Sequence, residues 1–147
     1  MSRAQPPPLL GLGPGLTPAG DDVLTGMALV ASRPGSLATT VLPALRHALG
    51  RHGDRTTDLS RATLWAALDG RGRQRLLDLV HTLVSFDDFG PLLLRKRAAH
   101  VIAIGHTSGS DIASGVLAGI QLELQLRGSA CLSPQRSRRT PTSTPCR

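Results

Sequence analysis

The sequence predicts a mainly α-helical fold, a compact helical domain with two glycine-rich loops at helix N-termini and room for one short strand pair. Apolar residues recur at three- and four-residue spacing along most of the chain, and Gly and Pro clusters separate successive runs. Two Gly-rich stretches also lead straight into helical patterns.

Residues 1–8, ending in Pro6-Pro7-Pro8, read as an extended lead-in. The next stretch, Gly11-Leu-Gly-Pro-Gly-Leu-Thr-Pro-Ala-Gly-Asp-Asp22, specifies backbone conformation more than side-chain bulk, because glycine allows positive φ and proline fixes φ. Thr17 is the candidate N-cap of a helix over residues 18–32, with Pro18 in its first turn and Asp21 and Asp22 near the positive end of its dipole. A well-capped helix is the plainer reading of this loop. The sharper one is an anion held by unpaired N–H groups, with Asp21 or Asp22 addressing a metal or a proton. No G-x-G-x-x-G or G-x-x-x-x-G-K-[ST] pattern occurs, so neither a dinucleotide fingerprint nor a P-loop is supported.

Val23, Leu24, Met27, Ala28, Val30 and Ala31 make the first helix apolar over most of its surface, which predicts a central position. Arg33-Pro34-Gly35 stops it. Ser36 can cap a second helix through about Leu49, although Pro43 predicts either a kink or a start near that residue. Thr57 or Asp58 caps a third helix closed by Asp69-Gly70, and a fourth, residues 72–85, carries a stripe of Leu76, Leu79, Val80 and Leu83. His81 on its flank receives no role. Asp87-Asp88 reads as solvated turn chemistry before Gly90-Pro91. Residues 92–104 fit either one helix with a cationic centre or a helix followed by a short strand. Gly105-His-Thr-Ser-Gly-Ser-Asp111 then opens a last helix, through about Leu126, whose small residues suit close packing.

Residues 9–127 therefore form a single predicted helical domain, and residues 128–147, rich in Ser, Pro and Arg, a disordered basic tail. The formal charge of +7 owes much to Arg127, Arg136, Arg138, Arg139 and Arg147, beyond which no acid lies. The body is close to balanced, and Trp65, Phe86 and Phe89 are its aromatics, so no specific nucleic-acid partner is expected. Cys131 and Cys146 fall in the tail outside any metal-ligand spacing. With no leader and no apolar run of about 18 residues, a cytoplasmic location without a membrane partner is expected.

The two loops share a design. Gly15-x-Thr17, Gly20, Asp22 and Gly26 correspond to Gly105-x-Thr107, Gly109, Asp111 and Gly115. Each copy places a threonine before a helix, an aspartate in its first turn and a glycine one turn further along the same face. Helix starts favour these residue types generally, but the repeated D-x-x-x-G favours two loops that lie side by side and converge on one ligand.

The first loop, Thr57-Asp-Leu-Ser60, Ala66 to Gly70 and Ile104-Gly-His-Thr-Ser-Gly-Ser-Asp111 resemble the carboxy-terminal part of a bacterial domain-of-unknown-function family that includes the AllH-type subunit of oxamate carbamoyltransferase. Ala19 stands where that family usually has serine. The resemblance implies carbamoyl transfer between oxamate and phosphate, performed in a hetero-oligomer with other transferase subunits. Gly13, Gly15, Thr17, Gly20, Asp21, Asp22, Gly105, His106, Thr107, Ser108, Gly109 and Asp111 are then the candidate ligand-binding residues for phosphate, carbamoyl phosphate or an oxamate-like anion. Asp22 and Asp111 are the candidate Mg²⁺ ligands, and His106 the candidate proton donor. Two other readings stand beside this one: a structural or assembly module in which the loops only cap and pack helices, and a truncated fragment without activity of its own.

Overall fold

The computed structural model describes residues 9–85 and 90–132, with side chains to residue 130. The lead-in, Asp87-Asp88 and most of the tail lie outside the described residues. Six α-helices are present: α1 (Ala19–Ala31), α2 (Leu42–His52), α3 (Asp58–Leu68), α4 (Gln74–Val84), α5 (Pro91–Ile102) and α6 (Ser108–Leu132). Two 3-10 turns, Leu37–Val41 and Gly53–Arg55, flank α2. Among the described residues there is no strand. The alternative of a strand pair near Val101–Ile104 is therefore corrected: Pro91 starts a continuous helix, and Ile104 turns back to bond Val101 O.

Helix α1 is the hub, packed against α6, α3 and α4, while α5 bridges α4 and α6. Four consecutive α1 residues, Ala28 to Ala31, are buried, as a helix apolar on most sides requires. The α1–α6 pairing is the most extensive in the molecule, and its closeness has a definite cause. A Cβ at Gly26 would stand 2.1 Å from Ile112 O, and one at Gly115 only 1.9 Å from Val23 O. Each glycine thus faces the carbonyl of the residue that follows the other helix's aspartate. The glycine half of the D-x-x-x-G repeat is a pair of interlocking backbone contacts related by approximate two-fold symmetry. Gly119 adds a third close approach, to Val30.

Local details correct three sequence expectations. Ser36 precedes the 3-10 turn Leu37–Val41 but makes no side-chain cap hydrogen bond; its hydroxyl donates to Glu123 Oε2 at 2.8 Å, and α2 starts at Leu42, the start near Pro43 that the proline allowed. Thr17 makes no cap hydrogen bond to α1, whose N-cap residue is Pro18. Helix α6 runs past its expected end near Leu126 to Leu132, since Gly128 lies on an exposed face where nothing opposes continuation. Thr57 does cap α3, accepting from Ser60 N at 3.1 Å.

Glu123, unassigned from sequence, anchors the far end of the α1–α6 pair. Burial alone would raise its carboxyl, but donors from Ala38, Ser36 and Leu37 and the Arg127 guanidinium outweigh it and hold the group down to about 2. A depressed folded value means that the stability it contributes is present above the unfolded value of about 4.5 and is lost as pH falls towards 2.

Candidate functional site

The two Gly-rich segments meet at one end of the molecule, where α1 and α6 both begin. Thr17 and Ser108 are joined there by a 2.8 Å hydrogen bond between their hydroxyls. That bond explains why Thr17 does not cap α1: its oxygen spans the two helix starts instead.

Asp21 and Asp22 are adjacent in sequence and opposite in use. Asp21 is fully buried, and both its oxygens are engaged: Oδ1 accepts from Gly11 N at 2.7 Å, while Oδ2 accepts from Ser60 Oγ at 2.7 Å and from the Thr56 hydroxyl. It ties the first loop to the start of α3 and lines no part of the cavity beside its neighbour. We expect Asp21→Ala to strand three donors and lower stability by about 3–5 kcal/mol, a fall in Tm of about 10–20 °C in a thermal melt.

Asp22 is also buried, 4% exposed, yet its Oδ2 has no hydrogen-bond partner among the described residues. Burial pushes this carboxyl above the ordinary aspartate value; the hydroxyls of Ser108 and Thr17 draw it down, and the negative charges of Asp111 and Asp21 add to the rise. The residue lines a cavity of about 580 Å³ between the helix starts and the α3–α4 turn. Its lining also includes Thr17, Gly105 and Ser108, the apolar Leu29, Leu76 and Ile112, and the exposed Arg71 and Arg73. Arg71 is paired with Asp69 at 3.2 Å. Arg73 makes no side-chain hydrogen bond or ion pair among the described residues. A buried carboxylate and two arginines in the lining of one largely apolar cavity suit a small ligand carrying both N–H donors and an anionic group.

Other candidates sit elsewhere. Gly20 and Gly109 are consumed by packing, since a Cβ on either would fall 2.0 Å from Leu9 O or 2.1 Å from Val101 O. Gly13 has φ of 115° and abuts Ala19 N, whereas Gly15 is exposed with open space around it. His106 and Thr107 are exposed and do not line the cavity; Asp111 is half-buried beside Asp22's field and does not line it either. The described residues hold no group of three or more His, Cys, Asp or Glu side chains suited to a metal. A magnesium ion between Asp22 and Asp111 would thus depend on water or substrate oxygens for most of its shell.

Arg71 and Arg73 received no role from the sequence. The signal available was Gly70-Arg-Gly-Arg73, a turn presenting two cations, with Gly70 at φ 72° ending α3. The cavity wall from Leu59 to Ala66 comes from an α3 face that periodicity marked only as a helix.

Residues 9–120 match the family model described as oxamate carbamoyltransferase subunit AllH. No solved structure matches the chain. Among the described residues no helix is long and apolar enough to cross a membrane.

Proposed function

This chain belongs to the family of the oxamate carbamoyltransferase subunit AllH, and we propose that its cavity at the joined starts of α1 and α6 binds the small planar acid of a carbamoyl transfer. The observation that carries the reading is that Asp22, whose buried Oδ2 has no hydrogen-bond partner among the described residues, lines one cavity together with Arg71 and Arg73. Oxamate has an amide at one end and a carboxylate at the other. Ionised Asp22 would accept an amide N–H, and the arginines would take the carboxylate, with Arg73 the freer of the two. The hydroxyls of Thr17 and Ser108 would hold the phosphate or carbamoyl oxygens, since the amides of Gly20, Asp21, Asp22, Gly109, Ser110 and Asp111 already donate to carbonyls. His106 is exposed and does not line the cavity, so the role supported here is binding and orientation.

Leu16 and Leu59 line the same cavity and are 72% and 55% exposed. Such apolar rims suit closure by another transferase subunit, in keeping with a hetero-oligomer. A structural module is the second reading, favoured by the packing duty of Gly20, Gly26, Gly109 and Gly115.

Calorimetric titration of oxamate into the full chain separates the two readings. We expect binding that weakens at least tenfold in Arg73→Gln and that weakens as pH falls through the raised value of Asp22, because the protonated carboxyl loses an acceptor site. Absence of binding to oxamate, carbamoyl phosphate and inorganic phosphate would leave the structural module as the better account.

A further inference from the structure

We propose that a second cavity, at the opposite end of the α1–α6 pair, binds a small organic monoanion with a short apolar tail through Arg33. The cavity measures about 220 Å³, and its polar lining is Arg33, Ser36, Glu123 and Arg127. Val30, Ile120 and Leu124 are among its apolar walls.

The charge arrangement is incomplete. Glu123 is already occupied: Oε2 accepts from Ser36 Oγ at 2.8 Å and Ala38 N at 2.9 Å, and Oε1 stands 2.6 Å from Arg127 Nη2. Arg127 reaches Gly35 O as well. One carboxylate therefore faces two guanidiniums. The Arg33 guanidinium is half-buried and makes no hydrogen bond or ion pair among the described residues. Burial also draws Arg33 below the ordinary arginine value, and the field of Glu123 only partly restores it.

The end of α1 does not account for this arginine. Ala28 O accepts from Ser32 N, Leu29 O from Ser32 Oγ and Val30 O from Arg33 N, so three of the four last-turn carbonyls already have donors, and Arg33's side chain is bonded to none of them. A cavity with net positive charge, a free planar fork and aliphatic walls selects a carboxylate on a short hydrocarbon chain over a compact, strongly hydrated phosphate. The volume is below that of sites for drug-sized ligands, which limits the tail to a few carbons.

The test is NMR titration of the full chain with hexanoate, with hexanol and inorganic phosphate as contrasts. Hexanoate should shift the amide resonances of Ser36 and Ile120, and hexanol and phosphate should bind at least tenfold more weakly. Arg33→Gln should weaken hexanoate at least tenfold. In Leu124→Glu, where Leu124 is 58% exposed at the cavity edge, the new carboxylate should occupy Arg33 and block hexanoate without loss of helical circular dichroism. Asp22→Asn should leave hexanoate binding intact, which distinguishes this site from the one at the helix starts. No hexanoate-induced shift in the parent chain, or an unchanged affinity in Arg33→Gln, overturns the proposal.

Discussion

Gly115→Val should abolish cooperative folding, and Gly115→Ala should already lower Tm by at least about 10 °C. The added Cβ would stand 1.9 Å from Val23 O and 2.7 Å from Val23 C. The obstacle is helix backbone, which cannot swing aside as the end of a flexible side chain does. Overpacking commonly costs about 1–3 kcal/mol, and intrusion on a carbonyl at the centre of the main helix pair lies at or above the upper end of that range. Helix propensity works in the other direction, since alanine exceeds glycine by about 1 kcal/mol in a helix interior; a net loss therefore isolates the steric contact. Gly26→Ala should behave alike, because its Cβ meets Ile112 O at 2.1 Å. Once either substitution has forced α1 and α6 apart, the second should cost less, so the double variant should be less than additive. Gly50→Ala, with nothing within 4 Å of the added Cβ, is the matched control and should be neutral or stabilising.

Asp22→Asn has the second large expected effect, on binding and not on folding. A carboxyl whose folded value is raised favours the fold at low pH, and that advantage is lost as pH rises through the folded value; at neutral pH the buried charge costs stability. Replacing it by a neutral isostere removes that cost. We therefore expect the melting temperature of unliganded Asp22→Asn at pH 7 to equal or exceed that of the parent, while the parent's advantage returns in acid. A residue present only to cap or pack would show the reverse, a loss of about 0.5–2 kcal/mol. Asp21 supplies the internal contrast: next in sequence, equally buried and fully bonded, it should lose stability on substitution without any ligand present.

Much of the helical fold was legible because it follows from local chemistry. The stripe on α4, the Thr57 cap and the apolar girth of α1 each name their element directly. What escaped was tertiary. Ser36 and Thr17 are good cap residues, and both were drawn away by α6: Ser36 to Glu123 and Thr17 to Ser108. No local pattern announces a partner so distant in the chain. The repeated aspartate-to-glycine spacing did mark the α1–α6 junction, but four of its glycines make close backbone contacts, whereas Asp22 is the member left facing a cavity. Asp21 and Asp22 could not be told apart in sequence, because the difference lies in Thr56 and Ser60, which fold back from the start of α3. Arg71 and Arg73 were invisible as site residues for a related reason: surface arginines in a turn are common, and only the fold brings them to the cavity that Asp22 lines.

The most direct measurement is oxamate-induced thermal stabilisation at pH 7, compared in the parent chain and Asp22→Asn. A ligand at about 100 times its dissociation constant should stabilise the folded parent by about 2.7 kcal/mol, a rise in Tm of about 8–16 °C for a chain of this size. We expect that rise in the parent and its loss in Asp22→Asn, with the unliganded variant at least as stable as the parent. An equal rise in both proteins, or a destabilised Asp22→Asn that still responds to oxamate, would contradict it.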